Sequence, residues 1–277
     1  MARVCILTDS TAQFTRPNFP GRERVYIVPC DIQPVKRLGD EALPHSVSAQ
    51  QLIPPSPQDF IRLYAGLSSQ YDSILVLTLS SLLSPVLEHA LSASLRYSNH
   101  AAVEVIDSQT TAVGLGILAQ VAAGAAAEQA PPKEVERRVR ASIPHLYMLF
   151  CIPELTYLAR AGHLDPTQAL AGEMMGLMPL FALDEGQLTP VEKVRTPRHL
   201  FESFQEFISE FDAPAHIALI RGVGHTTLRT RPLRQYVQET FPATPFSEHS
   251  LNPSLAALFG PQSSGVVIME KQTQRPA

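Results

Sequence analysis

Charged residues are scarce in this chain of 277 residues: they make up 17% of it, and no basic run stands out. With 22 basic and 26 acidic residues the net charge is −4, so neither nucleic acid nor an anionic membrane surface is an expected partner. No apolar stretch reaches the roughly 18 residues of a membrane-spanning helix, and the N-terminus lacks the features of a signal peptide. We therefore expect a globular protein in the cytoplasm, with no integral membrane contact.

Cysteine is also rare, with Cys5, Cys30 and Cys151 all in apolar segments predicted as strands. An odd number of cysteines without metal-binding spacing predicts small buried side chains in a reducing compartment. The sequence contains no G-x-S-x-G elbow, no P-loop and no H-E-x-x-H motif, so no metal or cofactor is expected.

Two glycine pairs resemble nucleotide-binding loops only superficially. Gly114 and Gly116 match the spacing of a dinucleotide fingerprint but fall inside a predicted helix rather than in the turn after a strand, so close helix packing is the favoured interpretation. Residues 222–225 follow a strand but lack the third glycine, which favours a plain turn.

The order of predicted elements indicates an α/β fold. Strands at residues 3–8, 25–32, 73–79 and 103–106 alternate with helices, which is typical of a parallel sheet with helices on both faces. Residues 34–55 are predicted to be irregular. After residue 146, a predicted hairpin implies a mixed sheet. We therefore predict a three-layer α/β/α domain with a parallel sheet over residues 1–148 and a two-layer α/β domain with a mixed sheet over residues 149–277.

Hydroxyl-rich segments follow three of the predicted parallel strands, at residues 8–11, 80–84 and 107–108. The carboxyl ends of parallel strands meet at one sheet edge, where ligands collect. Ser84 precedes a helix, so its hydroxyl and the free helix N–H groups could face an anion together. The competing interpretation is that each of these segments is an ordinary helix cap. His163, between two short helices at the entrance to the second domain, is the histidine of most interest, although a loop histidine is more often solvated than functional.

Taken in order, several segments resemble motifs of the DegV family of bacterial fatty-acid-binding proteins. ILTDST at residues 6–11 is similar to its opening DST turn, PSPQDF at 55–60 to the end of its TSQPSPxDF segment, and LSSLLSP at 79–85 to its SSxLSGT loop. LTYLARAGHL at 155–164 resembles its LxYLxxGGRI segment. The resemblance covers nearly the whole chain.

The resemblance implies a long-chain fatty acid, such as palmitate, as the ligand, held in the cleft between the domains. In some family members the bound acid is presented to a separate fatty acid kinase subunit, which is therefore an expected partner, and the binding protein itself is not an enzyme. The ligand-binding residues expected on this basis and from the sheet edge are Ser84, Ser81, Ser80, Asp9, Ser10, His163, Leu52 and Leu258.

The sequence departs from the family at the head-group positions. Leu52 aligns with the threonine of TSQPSP, His163 with the arginine of GGRI, and Leu258 with the histidine before the GPG motif, which here reads GPQ. Pro85 and Val86 replace the glycine and threonine of SGT. Ser84 is the head-group contact that clearly survives, and His163 could still donate to a carboxylate, most strongly below about pH 6.5.

Two alternatives remain open at this point. A divergent paralogue could bind another amphiphile, or an apolar ligand without a carboxylate, because Leu52 and Leu258 make the head-group region more apolar. A small-molecule hydrolase using Asp9, Ser10 and Ser84 is disfavoured, because no general base is evidently paired with a nucleophile.

Overall fold

The computed structural model describes residues 3–35, 49–98, 101–223 and 230–271, which form twelve strands and nine α-helices. The strands are β1 Val4–Asp9, β2 Val25–Val28, β3 Asp31–Val35, β4 Ala49–Ile53, β5 Ser73–Thr78, β6 Ala102–Asp107, β7 Leu146–Cys151, β8 Met178–Asp184, β9 Gln187–Val194, β10 Pro214–Arg221, β11 Phe246–Ser250 and β12 Ser264–Glu270. The helices are α1 Pro57–Leu67, α2 Val86–Arg96, α3 Ala112–Ala127, α4 Pro132–Ser142, α5 Leu155–Arg160, α6 Pro166–Met174, α7 Pro197–Ser209, α8 Thr230–Thr240 and α9 Pro253–Phe259.

The first sheet is wholly parallel, in the order β2-β1-β5-β6. Every residue of β1 and β5 is buried, as expected for strands covered on both faces. Helix α1 packs with α2, and α3 packs with α4, so the helices form two pairs. The chain passes from β1 to β2 on one side and, after β4 and α1, returns to β5 on the other side of β1. The crevice between β1 and β5 is therefore the switch point of the sheet, where ligands of open α/β sheets bind.

A two-stranded antiparallel ribbon, β3 with β4, corrects the sequence-based prediction in this region. Residues 25–32 form two strands, with a break at Pro29 and Cys30. Residues 49–53, predicted to be irregular, form β4. Pro34 is tolerated in β3 because a two-stranded ribbon consists of edge strands, where a missing N–H costs little.

The second sheet is mixed, in the order β11-β10-β12-β7-β8-β9, and only β10 and β11 pair in parallel. The predicted hairpin is confirmed as β8 and β9, which are joined by Glu185 and Gly186, both with positive φ of 47° and 87°. This is the geometry of a tight hairpin turn with both central residues left-handed. Together the two sheets confirm the predicted α/β class, with a parallel sheet in the first half and a mixed sheet in the second.

Local sequence signals account for several helix ends. Ser56 caps α1 and forms a reciprocal capping box with Asp59. Gly116 lies inside α3, where an added Cβ would come 2.0 Å from the carbonyl oxygen of Gln13. This close approach confirms that the glycine serves helix packing. The turn predicted at residues 222–225 extends outside the described residues, and the sequence pattern also predicts a helix over 226–240, whose start lies outside them.

One buried apolar cluster runs through both halves of the chain, including Leu77 and Leu115 from the first and Phe150 and Phe259 from the second. A second cluster lies between the second sheet and helices α7 and α8. Strand β7, which spans the predicted boundary at residue 148, belongs to the second sheet, and the division into two domains stays a prediction. The three cysteines are free and buried, as predicted, although Cys30 lies between strands rather than in one.

Candidate functional site at the sheet edge

The ends of β1, β5 and β6 lie side by side, because these strands are neighbours in the parallel sheet. This confirms the expectation that the three hydroxyl-rich segments share one sheet edge. The loop after β5, residues 79–85, lies between the other two and is bonded to both. The backbone N–H of Ser80 donates to the carbonyl of Thr110, and that of Leu79 donates to the Asp9 carboxylate.

Asp9 is completely buried, and both of its oxygens are engaged by protein donors. Oδ1 accepts hydrogen bonds from the N–H and hydroxyl of Thr11, at 2.9 and 2.6 Å, and Oδ2 accepts from the N–H of Leu79 at 2.7 Å. Burial raises the pKa of this carboxyl, while the hydrogen bonds act in the opposite direction. The geometry gives Asp9 the role of fastening the 79–85 loop to the end of β1.

Ser10 and Ser80 link the two halves of the molecule. The Ser80 hydroxyl donates to the carbonyl of Gly186, at the tip of the β8–β9 hairpin, over 2.6 Å. The Ser10 hydroxyl accepts from the N–H of Cys30 and lies 2.9 Å from the hydroxyl of Ser254 at the start of α9. Both hydroxyls therefore have protein partners that hold the second half against the sheet edge.

The remaining two serines of the loop differ in their contacts. The exposed Ser81 donates its hydroxyl to the carboxylate of Asp107. Ser84 is half-buried, and its hydroxyl makes no hydrogen bond to any described residue. It does not cap α2 either, since that helix begins at Val86 with Pro85 as its cap and without a side-chain capping bond. Its hydroxyl is therefore available to a ligand.

A small cavity of about 230 Å³ brings Ser84 together with Leu52 of β4 and Leu258 of α9. These are three of the predicted residues, from three distant parts of the sequence. Tyr157 and Arg160 of α5 also line this cavity, and neither was singled out from the sequence. The sequence signal that could have found them is their i, i+3 spacing on one short helix, which places both side chains on the same helix face.

An open cleft of about 760 Å³ adjoins this cavity and shares Ser84 with it. The cleft is lined by Ser81 and His163 and by leucines along α2, among them Leu87, Leu91 and Leu95. Of the eight predicted residues, Ser84, Ser81, His163, Leu52 and Leu258 thus line this pair of cavities, whereas Asp9, Ser10 and Ser80 line neither.

His163 lies between α5 and α6, and its Nε2 is 3.2 Å from the carbonyl oxygen of Leu83. A carbonyl can only accept, so Nε2 carries the proton and donates. Burial lowers the pKa of this imidazole from 6.5, although the hydrogen bond to Leu83 acts in the opposite direction. At neutral pH the ring is therefore uncharged, with Nδ1 as an acceptor.

A larger cavity of about 1020 Å³ lies within the second half, between helices α5 and α6 and the β8–β9 hairpin. Its walls are mainly apolar and include Leu155, Leu177, Phe181 and Leu188, while His163 lines both this cavity and the open cleft. Such a volume is at the upper end of small-molecule pockets, which measure about 300–1,000 Å³. The sequence did not reveal this cavity, because its apolar residues follow the same alternation as core residues.

Groups of three or more histidine, cysteine, aspartate or glutamate side chains suited to a metal ion are absent from the described part of the chain. Among the described helices, none combines the length and the apolar character needed to cross a membrane.

Comparison with known proteins places this site in a family context. A family model described as "Uncharacterised protein, DegV family" matches residues 3–271. The chain belongs to the DegV family. A DegV domain-containing protein of Staphylococcus aureus (strain COL) is 24% identical over 283 residues, covering 98% of this chain and all of that protein.

Solved DegV structures share the fold. The fatty acid binding DegV family protein of Streptococcus agalactiae superposes with a TM-score of 0.81 at 18% identity, covering 98% of this chain and 100% of that one. The Fatty Acid Kinase B3 protein of Streptococcus pneumoniae, solved loaded with linoleic acid, superposes with a TM-score of 0.80 at 16% identity, covering 97% and 99%. Chains with these identities establish a common DegV architecture, in agreement with the predicted resemblance.

Proposed function

We propose that this DegV protein binds a long-chain fatty acid, with the tail in the 1020 Å³ cavity and the carboxylate beside Ser84. One observation carries the proposal: the apolar cavity and the cleft with the unbonded Ser84 hydroxyl are adjacent, because His163 lines both of them. An amphiphile fits such a site because its two ends need different surroundings. The Streptococcus agalactiae relative is described as fatty acid binding, and the Streptococcus pneumoniae relative was solved loaded with linoleic acid, which supports the same assignment.

The energetics favour retention of lipid binding despite the changed head-group positions. Burial contributes about 0.8 kcal/mol per methylene, so a palmitate tail contributes on the order of 10 kcal/mol. One hydrogen bond to a charged group contributes about 1.5–3 kcal/mol. The head-group contacts that the family has at residues 52, 163 and 258 and that this chain lacks therefore weaken binding without abolishing it.

Native mass spectrometry and organic extraction of the purified protein test this proposal. We expect a copurifying fatty acid, and displacement of a fluorescent fatty acid by palmitate after delipidation. A protein that emerges without lipid and rejects fluorescent fatty acids would overturn the proposal.

A different amphiphile or an apolar ligand is the second candidate, favoured by Leu52 and Leu258 in the wall around Ser84. The identity of the extracted molecule distinguishes the two: a fatty acid supports the first proposal, and a lipid without a carboxylate supports the second.

We further propose that the protein is a cytoplasmic carrier rather than an enzyme, and that it presents the bound acid to a fatty acid kinase subunit. The absence of a hydrogen bond from the Ser84 hydroxyl to any described base supports a binding role, since a nucleophilic serine needs such a partner. Phosphoryl transfer demands closer positioning than binding does. Mixing the loaded protein with a fatty acid kinase subunit and ATP should therefore give slow ADP release, and no ADP release above the kinase alone would contradict this role.

A further inference from the structure

Arg160, the last residue of α5, has a guanidinium group that lacks a polar partner among the described residues. Its Nη1 atom is shielded from solvent and makes no hydrogen bond, and no described carboxylate forms a salt bridge with it. Its contact is with the ring of Tyr157, whose centroid lies 5.5 Å from the guanidinium carbon. Arg160 is half-buried, and one of its donor atoms is shielded from water without a partner among the described residues, so an anion beside the guanidinium would find an uncommitted cation.

The surroundings of Arg160 show where such an anion would bind. Arg160 lines the 230 Å³ cavity together with Ser84, Leu52 and Leu258, and no acidic side chain is among the described residues of that wall. Beside the amides of Gln50 and Gln51, the cavity wall thus contains one cation, Arg160, and the unbonded hydroxyl of Ser84, among apolar residues. A guanidinium beside a hydroxyl is suited to a carboxylate, which accepts hydrogen bonds from both.

Arg160 is better placed for this task than His163, three residues later. The Nε2 of His163 already donates to Leu83, and burial disfavours its charged form. Arginine, unlike histidine, is a permanent cation, and the packing of Arg160 against Tyr157 restricts its orientation before a ligand arrives.

We propose that Arg160 recognises the carboxylate of the bound lipid, with Ser84 as its second contact, and that it makes this protein selective for acids over uncharged lipids of the same chain length. The inference rests on the proposed function, because it specifies the head-group contact of that site.

The test compares dissociation constants for palmitate and for the matching primary alcohol, measured on delipidated protein. The ratio isolates the head group, because the two tails are identical. The wild type should bind the acid about 10- to 100-fold more tightly, as one hydrogen bond to a charged group implies. Arg160→Gln should lower the ratio about 10-fold, to what the Ser84 hydroxyl still contributes, while leaving the affinity for the alcohol within about twofold. Arg160→Lys should give an intermediate ratio, because lysine keeps the charge but not the planar fork.

Arg198→Gln is the matched control, since Arg198 is exposed on α7 and pairs with Glu202, and it should leave the ratio unchanged. If Arg160→Gln keeps the wild-type ratio, the proposed role of Arg160 is overturned, while the proposal of lipid binding stands. A wild type that binds neither ligand overturns the proposed function and this inference with it. If Arg160→Gln binds neither ligand, Arg160→Lys decides: a ratio still above one but below that of the wild type supports the inference, and any other ratio overturns it.

Discussion

Two groups of polar residues at the junction between the halves of the molecule differ in what they contact. The base of the junction, Asp9, Ser10 and Ser80, bonds to protein atoms throughout. The rim, Ser84, Arg160 and His163, lines open cavities and keeps unused hydrogen-bonding capacity. Ser80 and Ser84 belong to the same loop, yet one holds the hairpin tip and the other has no described partner. Residue type and sheet position therefore identify the edge, while the partner of each hydroxyl decides its role.

Among the variants that test the difference between base and rim, Asp9→Ala should lose the most unfolding free energy. Asp9→Ala leaves the N–H of Leu79 and both donors of Thr11 without their acceptor in a buried setting. We expect the free energy of unfolding to fall by about 3 kcal/mol or more, measured by urea unfolding. Ser84→Ala is the control from the rim and should change it by less than about 0.5 kcal/mol. Equal losses in the two variants would contradict the division into base and rim.

Gly186→Ala should disturb the contact between the hairpin and the loop. Gly186 has a φ of 87°, and an added Cβ would lie 2.5 Å from the Ser80 hydroxyl oxygen. Strain and crowding together should cost about 2–3 kcal/mol of unfolding free energy.

Gly176→Ala provides the control for this variant, because Gly176 has a φ of 62° but nothing within 4 Å of the new Cβ. It should lose only about 1 kcal/mol in the same urea measurement, from backbone strain alone. If Gly176→Ala lost as much unfolding free energy as Gly186→Ala, crowding of the new Cβ against Ser80 would contribute nothing to the loss.

Ser80→Ala and Ser84→Ala should separate stability from binding. Ser80→Ala removes the bond to Gly186 and should lower the unfolding free energy by about 1 kcal/mol or slightly more. Ser84→Ala should leave stability nearly unchanged but weaken palmitate binding about 10-fold, measured by fluorescence displacement. The reverse pattern would mean that the assignment of the two serines is wrong.

The smallest expected effect concerns pH. Because the pKa of His163 lies below 6.5 in the folded protein, the unfolded chain takes up its proton first as pH falls. The stability due to this neutral ring is complete above about pH 6.5 and is lost as pH falls through the folded-state pKa. His163→Gln should reduce the drop in unfolding free energy between pH 7.5 and 5.5 by a few tenths of a kcal/mol. Identical drops in both proteins would contradict the burial of a neutral ring at the rim.

Much of the fold could be predicted from the sequence because its signals are local. Buried strands such as β5 appear as continuous apolar runs, and turns such as Glu185-Gly186 follow from chemistry within a few residues. The β3–β4 ribbon was missed because its pairing joins segments separated by the span from residue 36 to 48, and Pro34 gave a misleading signal.

The site could be predicted only in part. The sheet edge follows from strand order, so the segments around Asp9 and Ser84 were located. The sequence could not show which hydroxyls are already bonded, since Ser254, one partner of Ser10, and Gly186, the partner of Ser80, lie 244 and 106 residues away. Arg160 was missed for a related reason: a cation on a helix is usually solvated, and only the structure shows that its Nη1 has no partner among the described residues and that its side chain lines the cavity.

The cysteines are buried, so the rate at which a thiol is labelled reports how often the structure around it opens. Cys5 lies in the first sheet and Cys151 in the second, and burial raises the pKa of each thiol to about 12. Thiol-specific reagents attack the thiolate, so neither cysteine should be labelled while its strand stays paired and buried in the sheet. Labelling rates followed by peptide mass spectrometry would then time the opening of each sheet separately, and a bound lipid that bridges the two halves should slow both rates together.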